Sequence, residues 1–146
     1  MITKYPLTMI DIKCIPILLV GLITCITDAF GQSVHTSALI PPDDYENIHV
    51  TKLNEDSLNS TFCIWVKNAV RPHKHIYHTE VVLVLEGSGK MTLGNDTFEI
   101  SAGDYVFIPR GTVHSVDVTS AEPIKVLSIQ SPRFDGSDRV FVTPDH

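Results

Sequence analysis

From Ile48 to the C-terminus the chain is cut into short apolar runs rich in β-branched and aromatic residues, each closed by a turn signal. The pattern predicts strands near 48–52, 61–67, 80–86, 89–93, 97–100, 105–108, 113–118, 124–130 and 139–142. "EGSGK" and "GNDT" have the composition of tight hairpin turns, and "SAGDY" and "IPRGT" mark two further reversals. After residue 31 no stretch carries a convincing 3.6-residue apolar period. Many short strands at even spacing predict an all-β domain over residues 48–146, a sandwich or a small barrel.

The N-terminal segment follows another pattern. "CIPILLVGLITCIT", Cys14 to Thr27, is uncharged and apolar, with Lys13 before it and Asp28 after it. A helix that crosses a bilayer core needs about 20 apolar residues, so the run is short for a span and has the length of a signal-peptide core. Small residues at Ala29 and Gly31 suit cleavage after Gly31. Residues 1–31 are therefore expected to be a signal peptide, and the mature protein to be exported, periplasmic or secreted, without a stable membrane span. Residues 32–47, with Pro41-Pro42, read as an extended arm.

Composition narrows the class only slightly. The 146 residues are 43% hydrophobic and 19% charged, which suits one globular domain. A net charge of −6 and the lack of any basic run argue against a nucleic-acid partner. Loss of Cys14 and Cys25 with a signal would leave Cys63 alone, in the strand-like "TFCIWV", as a small core residue. Asn59 and Asn95 match the N-glycosylation sequon, and Asn95 reads better as a turn residue.

Chemistry is concentrated in "HKHIYHTE", residues 73–80, which holds three of the seven histidines. Residues two apart in an extended segment share a face, so His73 and His75 present two imidazoles together. Glu80 follows after a reversal and can return a carboxylate to the same place. His114, about 40 residues on, opens a strand after the reversal at Pro109 and Gly111. Imidazoles with a carboxylate suit a first-row transition metal. His78 lies among these residues, either facing the pocket as a proton shuttle or solvated in the turn. Trp65 and Phe107 are expected in the core, with Tyr77 the exception because of its place in the histidine loop. Arg133 and Arg139 are expected to pair with Asp135 or Asp138 at the surface.

These residues carry a resemblance. "HKHIYHTEVVLVLEG" is similar to the first cupin motif, HxH(x)4E(x)6G, with His73, His75, Glu80 and Gly87; "GDYVFIPRGTVH" is similar to the second, G(x)5PxG(x)2H, with Gly103, Pro109, Gly111 and His114. Six residues before His73 the family often has Gly where this chain has Lys67, and four after His114 it often has Asn where this chain has Val118. The resemblance implies a single-domain jelly-roll barrel (double-stranded β-helix) whose His73, His75, Glu80 and His114 bind one divalent metal, Fe, Mn, Cu, Ni or Zn. A chain that folds after export meets copper and zinc, which bind such sites tightly.

Three functions are compatible with such a centre. The first is a metal-dependent enzyme on a small molecule, of the dioxygenase type, with Glu80 as ligand and base and His78 as a further catalytic group. The second is a sugar isomerase or epimerase. It needs cationic groups for phosphate, yet Lys74 has the wrong strand parity and Arg110 lies in a turn, so no inward basic pair is expected. The third is a non-catalytic exported module that binds a metal or ligand. Sheet-to-sheet pairing, with exchange of the 32–47 arm, predicts a homodimer.

Overall fold

Apolar residues alternating with polar ones along short extended runs can bury one face only by stacking sheets, and the structure, a computed structural model that describes residues 31–143, does this with ten strands. They are β1 (Ile48–Glu55), β2 (Ser60–Val66), β3 (Ala69–His75), β4 (Thr79–Glu86), β5 (Ser88–Leu93), β6 (Asp96–Ser101), β7 (Tyr105–Ile108), β8 (His114–Val118), β9 (Ile124–Ser131) and β10 (Arg139–Phe141). Two antiparallel five-stranded sheets result, ordered β1-β2-β9-β4-β7 and β10-β3-β8-β5-β6. The predicted all-β fold is thus observed, in jelly-roll form. The expected signal peptide, residues 1–31, lies almost wholly outside the described residues.

One strand differs from expectation. The run 69–75 was not among the expected strands, because Pro72 supplies no N–H and Arg71 breaks the apolar pattern. The structure places β3 there, between β10 and β8, and its pairing with β8 shifts register between Val70 and His73, where the chain passes Pro72. The bulge accommodates the proline, whose carbonyl accepts the Val142 N–H at 2.9 Å.

The interior row of both sheets forms the apolar core: Val66, Val84, Met91, Ile100, Val106, Ile108 and Ile124. Cys63 and Trp65 are buried as expected, but on the opposite parity of β2, so they belong to the outer face. There Lys125, only 2% exposed, donates to the Leu39 carbonyl at 3.1 Å and to Glu86 Oε1 at 2.8 Å. The arm is therefore packed rather than free. It carries a single 3-10 turn, Thr36–Ala38, and Asn47 Nδ2 donates to the Ala69 carbonyl at 2.8 Å. Residues 34–143 belong to one compact unit.

Two expectations about surface residues are corrected. Phe107 is half exposed, since β7 is an edge strand and turns it outward. Arg133 pairs with Glu55 at 2.9 Å rather than with Asp135 or Asp138. The Asp135 carboxylate is taken by the N–H and hydroxyl of Ser137, and Asp138 is buried. Among the described residues no helix is long and apolar enough to cross a membrane.

Candidate metal centre

Strand pairing brings the two histidine motifs together. His73 on β3 is the cross-strand partner of His114 on β8, and β3 carries His75 on the same face. Glu80, on β4, enters from the other sheet, where it pairs with Gln130 on β9. The turn before β8 is tied to β3 by the Gly111 N–H, which donates to the His75 carbonyl at 2.6 Å. Each of the four residues is under a tenth exposed.

The metal-binding nitrogens of His73, His75 and His114 can lie within 4.8 Å of one another. Glu80 Oε2 is 3.3 Å from His75 Nε2 and 3.4 Å from His114 Nε2. His73 Nδ1 lies 2.8 Å from the Arg71 carbonyl, and His114 Nδ1 lies 3.0 Å from the Thr112 carbonyl. A carbonyl only accepts, so both rings carry their proton on Nδ1 and turn the Nε2 lone pair to the centre. The Nε2 atoms of His75 and His114 are buried without a hydrogen-bond partner. Lone pairs facing a buried carboxylate repel it, and a cation among them removes the conflict. The donor set therefore fits a divalent transition metal, with no particular ion selected.

Three further residues, none of which the sequence reading assigned to the centre, support it. The Ser128 hydroxyl donates to Glu80 Oε1, as does Gln130 Nε2 at 3.2 Å, leaving Oε2 for the imidazoles. Burial pushes the Glu80 carboxyl up; an Nε2–H of His114 or His75 turned towards it in the metal-free protein, together with the Ser128 hydroxyl, outweighs this and holds it well below the usual range. Burial, with His114 next, pushes His73 down to about 4. Both shifts favour the metal-binding forms, carboxylate and neutral imidazole. The signal for Ser128 and Gln130 was present: in "IKVLSIQ" they continue the inward row begun by Ile124 and Val126.

Asp138 is the third. His78 is buried rather than solvated, stacks on His75 with ring centroids 4.0 Å apart, and places Nδ1 2.9 Å from Asp138 Oδ2. The Tyr77 N–H donates to the same oxygen at 2.9 Å, and Asp138 Oδ1 lies 3.8 Å from His75 Nδ1. Tyr77 itself is exposed, as expected. Burial, then His75, pushes His78 down, against the opposing pull of Asp138. For Asp138, burial raises the carboxyl while the Tyr77 N–H and His78 lower it further. His75, His78 and Asp138 form a second group with metal-ligand spacing.

The centre opens on a cavity of about 230 Å³ between the sheets. His73, Glu80 and His114 line it, whereas His75 and His78 do not. Its walls are mostly Val and Ile with Met91 and Phe141, and Arg71 and Arg139 are the cations among them. Both are exposed, so they border the cavity at its rim and do not form the inward basic pair that the sequence reading found lacking. Arg71 lies in the bulge between Val70 and His73, where strand parity could not place it; Arg139 reaches the wall only through the pairing of β10 with β3.

Comparisons with known proteins agree with this geometry. The family model described as "Cupin domain" matches residues 61–130. An uncharacterized protein of Aquifex aeolicus is 39% identical over 97 residues, 66% of this chain and 79% of that protein. Mannose-1-phosphate guanylyltransferase RfbM of Salmonella typhimurium is 31% identical over 80 residues, 53% of this chain but only 17% of that enzyme. Among solved structures, an uncharacterized conserved protein with a double-stranded β-helix domain from Klebsiella pneumoniae aligns with a TM-score of 0.67 at 15% identity, covering 79% of this chain and 100% of that one. The paired motifs, the two-sheet barrel and these matches place the chain in the cupin superfamily.

Proposed function

We propose that the chain is a small metal-dependent enzyme acting on a small molecule, of the dioxygenase-type oxidoreductase class. The observation that carries this is the direct opening of the His73, Glu80 and His114 side of the centre onto a mostly apolar cavity. Apolar walls keep water away from oxygen-reactive chemistry and strengthen the field of a buried charge. A bound divalent metal would supply Lewis acidity and open positions for a chelating substrate. The chain's own part is to hold that centre. Arg71 and Thr112 carbonyls fix two imidazole tautomers, Ser128 and Gln130 orient Glu80, and the His78–Asp138 pair backs His75. Glu80 is held as a carboxylate, the metal-binding form, and would gain the basicity to take a proton only on leaving the donors that lower it. Export before folding, proposed from the N-terminal pattern, would make copper or zinc the metals met first.

A sugar isomerase or epimerase is the second reading, favoured by Arg71 and Arg139 on the cavity wall. The match to 17% of RfbM, an enzyme named for mannose 1-phosphate, supports a sugar-phosphate ligand in this reading. A sugar also needs partners for its hydroxyls, and Val and Ile walls offer few. The third reading, an exported binding module without catalysis, is tested alongside.

Elemental mass spectrometry of the full-length protein recovered from its native compartment, with His114→Ala beside it, tests the centre. About one metal per chain, lost in the variant, is expected. Oxygen uptake with small chelating substrates then separates oxygenase from isomerase. Tight ligand binding with no turnover of any class would favour the binding module. A metal-free wild type that takes up no added ion would end the metal-enzyme reading.

A further inference from the structure

Arg71 and Arg139 stand at the solvent-exposed rim of an apolar cavity, and neither has an ion-pair partner among the described residues. Each is held by an aromatic ring instead. The Arg71 guanidinium lies 4.6 Å over the Phe141 ring and that of Arg139 lies 5.2 Å over Phe134. Stacking fixes a guanidinium plane while leaving its N–H edges free, the arrangement in which arginine grips an oxyanion with two parallel hydrogen bonds. The two arginines come from neighbouring strands, β3 and β10; Arg139 lies opposite His75 and Phe141 opposite His73, so the long side chains of Arg71 and Arg139 flank the His73 position from either side along the strands.

Polar capacity elsewhere in the cavity is small. Asn47 lines it, but its side-chain amide donates to the Ala69 carbonyl and its carbonyl oxygen accepts the Asn68 N–H. Beyond Asn47, the arginines and the centre itself, Ser115 is the one remaining polar wall residue among the described residues. A polyol body would leave hydroxyls against these walls without hydrogen-bond partners. An apolar body loses nothing against Val82, Met91 and Val116.

We propose that the cavity binds a small organic acid with an apolar body, its carboxylate held by Arg71 and Arg139 and its apolar part directed among the valines and isoleucines beside the His73–Glu80–His114 centre. The proposal rests on the reading of this cavity as the substrate site. A phosphate group offers the same oxyanion chemistry, and the apolar walls select against the sugar that would carry it.

Calorimetric titration of the full chain, stripped of metal with chelator, tests this without any contribution from a metal–carboxylate bond. The probes are 3-phenylpropanoate, 3-phenylpropan-1-ol and glucose 6-phosphate. The acid should bind roughly tenfold or more tightly than the alcohol, the size of a charge-assisted hydrogen bond. The sugar phosphate should bind more weakly than the acid. Arg71→Gln and Arg139→Gln should each lower acid affinity roughly tenfold and leave alcohol affinity and the melting temperature unchanged. Arg71→Lys and Arg139→Lys, which keep the charge, should restore part of the loss and cover the case of a glutamine variant that misfolds. Acid and alcohol binding alike, a preference for the sugar phosphate, full acid affinity in the folded glutamine variants, or no binding of the acid would each overturn the proposal. Metal analysis of the same preparations separates the two ideas. Acid binding by a chain that never takes up metal sinks only the enzyme reading. A metal-loaded chain that is indifferent to the carboxylate sinks only this one.

Discussion

Glu80 depends on its neighbours more than any other residue of the centre. It is 7% exposed, and without the Ser128 and Gln130 donors one of its oxygens would be buried and unsatisfied. Removal of a group that orients a ligand typically lowers metal affinity roughly 10- to 100-fold, so Ser128→Ala should do so in a chelator competition, with the fold retained. Asp138→Asn should act in the same range through His78 and His75, since it removes the charge that both rings face. Protonation gives a further check. His73 is lowered to about 4 from 6.5, so between those values the unfolded chain binds the proton and the folded chain does not. Stability from this residue is full above pH 6.5 and is lost as pH falls towards 4. The lowered Glu80 carboxyl acts in the same direction below its ordinary range. The metal-free protein should therefore melt several degrees lower at pH 5 than at pH 7.5, and an unchanged midpoint would refute the assignment of a neutral buried His73. The four proposed ligands were legible because each motif spans only a few residues. Asp138 was not, because its pairing with His78 joins positions 60 residues apart, and nothing in "GSDRV" distinguishes a buried aspartate from a turn residue.

At the scale of the elements, most of the strand order could be read from apolar runs and turn residues, since a half-buried strand writes its alternation into the sequence. The third strand could not, because its bulge and proline erase that alternation at the place where the histidines sit. The turn between β4 and β5 shows how strictly such reversals are specified. Gly87 has φ +81, and a Cβ there would lie 2.9 Å from the Ile124 backbone and 2.9 Å from Ser120 Oγ. The backbone cannot yield as a flexible side chain would, and the conformation itself is costly for any residue with a Cβ. Gly87→Ala should cost about 2 kcal/mol or more, read as a lowered denaturant midpoint at unchanged slope. By contrast, Gly111→Ala meets nothing within 4 Å and carries only the cost of its φ of +78, so the loss there should be smaller, about 1 kcal/mol. Equal losses at the two glycines would show that contact with Ile124 has no weight.

At the scale of the molecule, the outer face of the β1-β2-β9-β4-β7 sheet is divided. The arm and β1 side chains cover one half, where Trp65 packs near His49 and Lys125 reaches the Leu39 carbonyl. The other half carries two cross-strand rows, Phe107–Val81–Ile129 and Tyr105–Leu83–Leu127, which the pairing of β7, β4 and β9 aligns on one side. Phe107 is 50% and Tyr105 64% exposed at the edge of those rows. Aromatic and aliphatic side chains in register on an edge-bounded sheet face form the kind of apolar patch that marks an interaction surface. A second copy is the simplest cover, because a two-fold axis lets one patch bury itself against its equal. Because the arm docks on its own chain, the homodimer we expect does not require arm exchange. Light scattering of the wild type should give twice the chain mass, and Phe107→Asp with Tyr105→Lys should give a monomer that still binds metal, since both side chains point away from the centre. A wild type of single-chain mass would refute the dimer. A double variant that stays dimeric would move the interface to another face, with exchange of the arm as the next geometry to test by deleting residues 32–44.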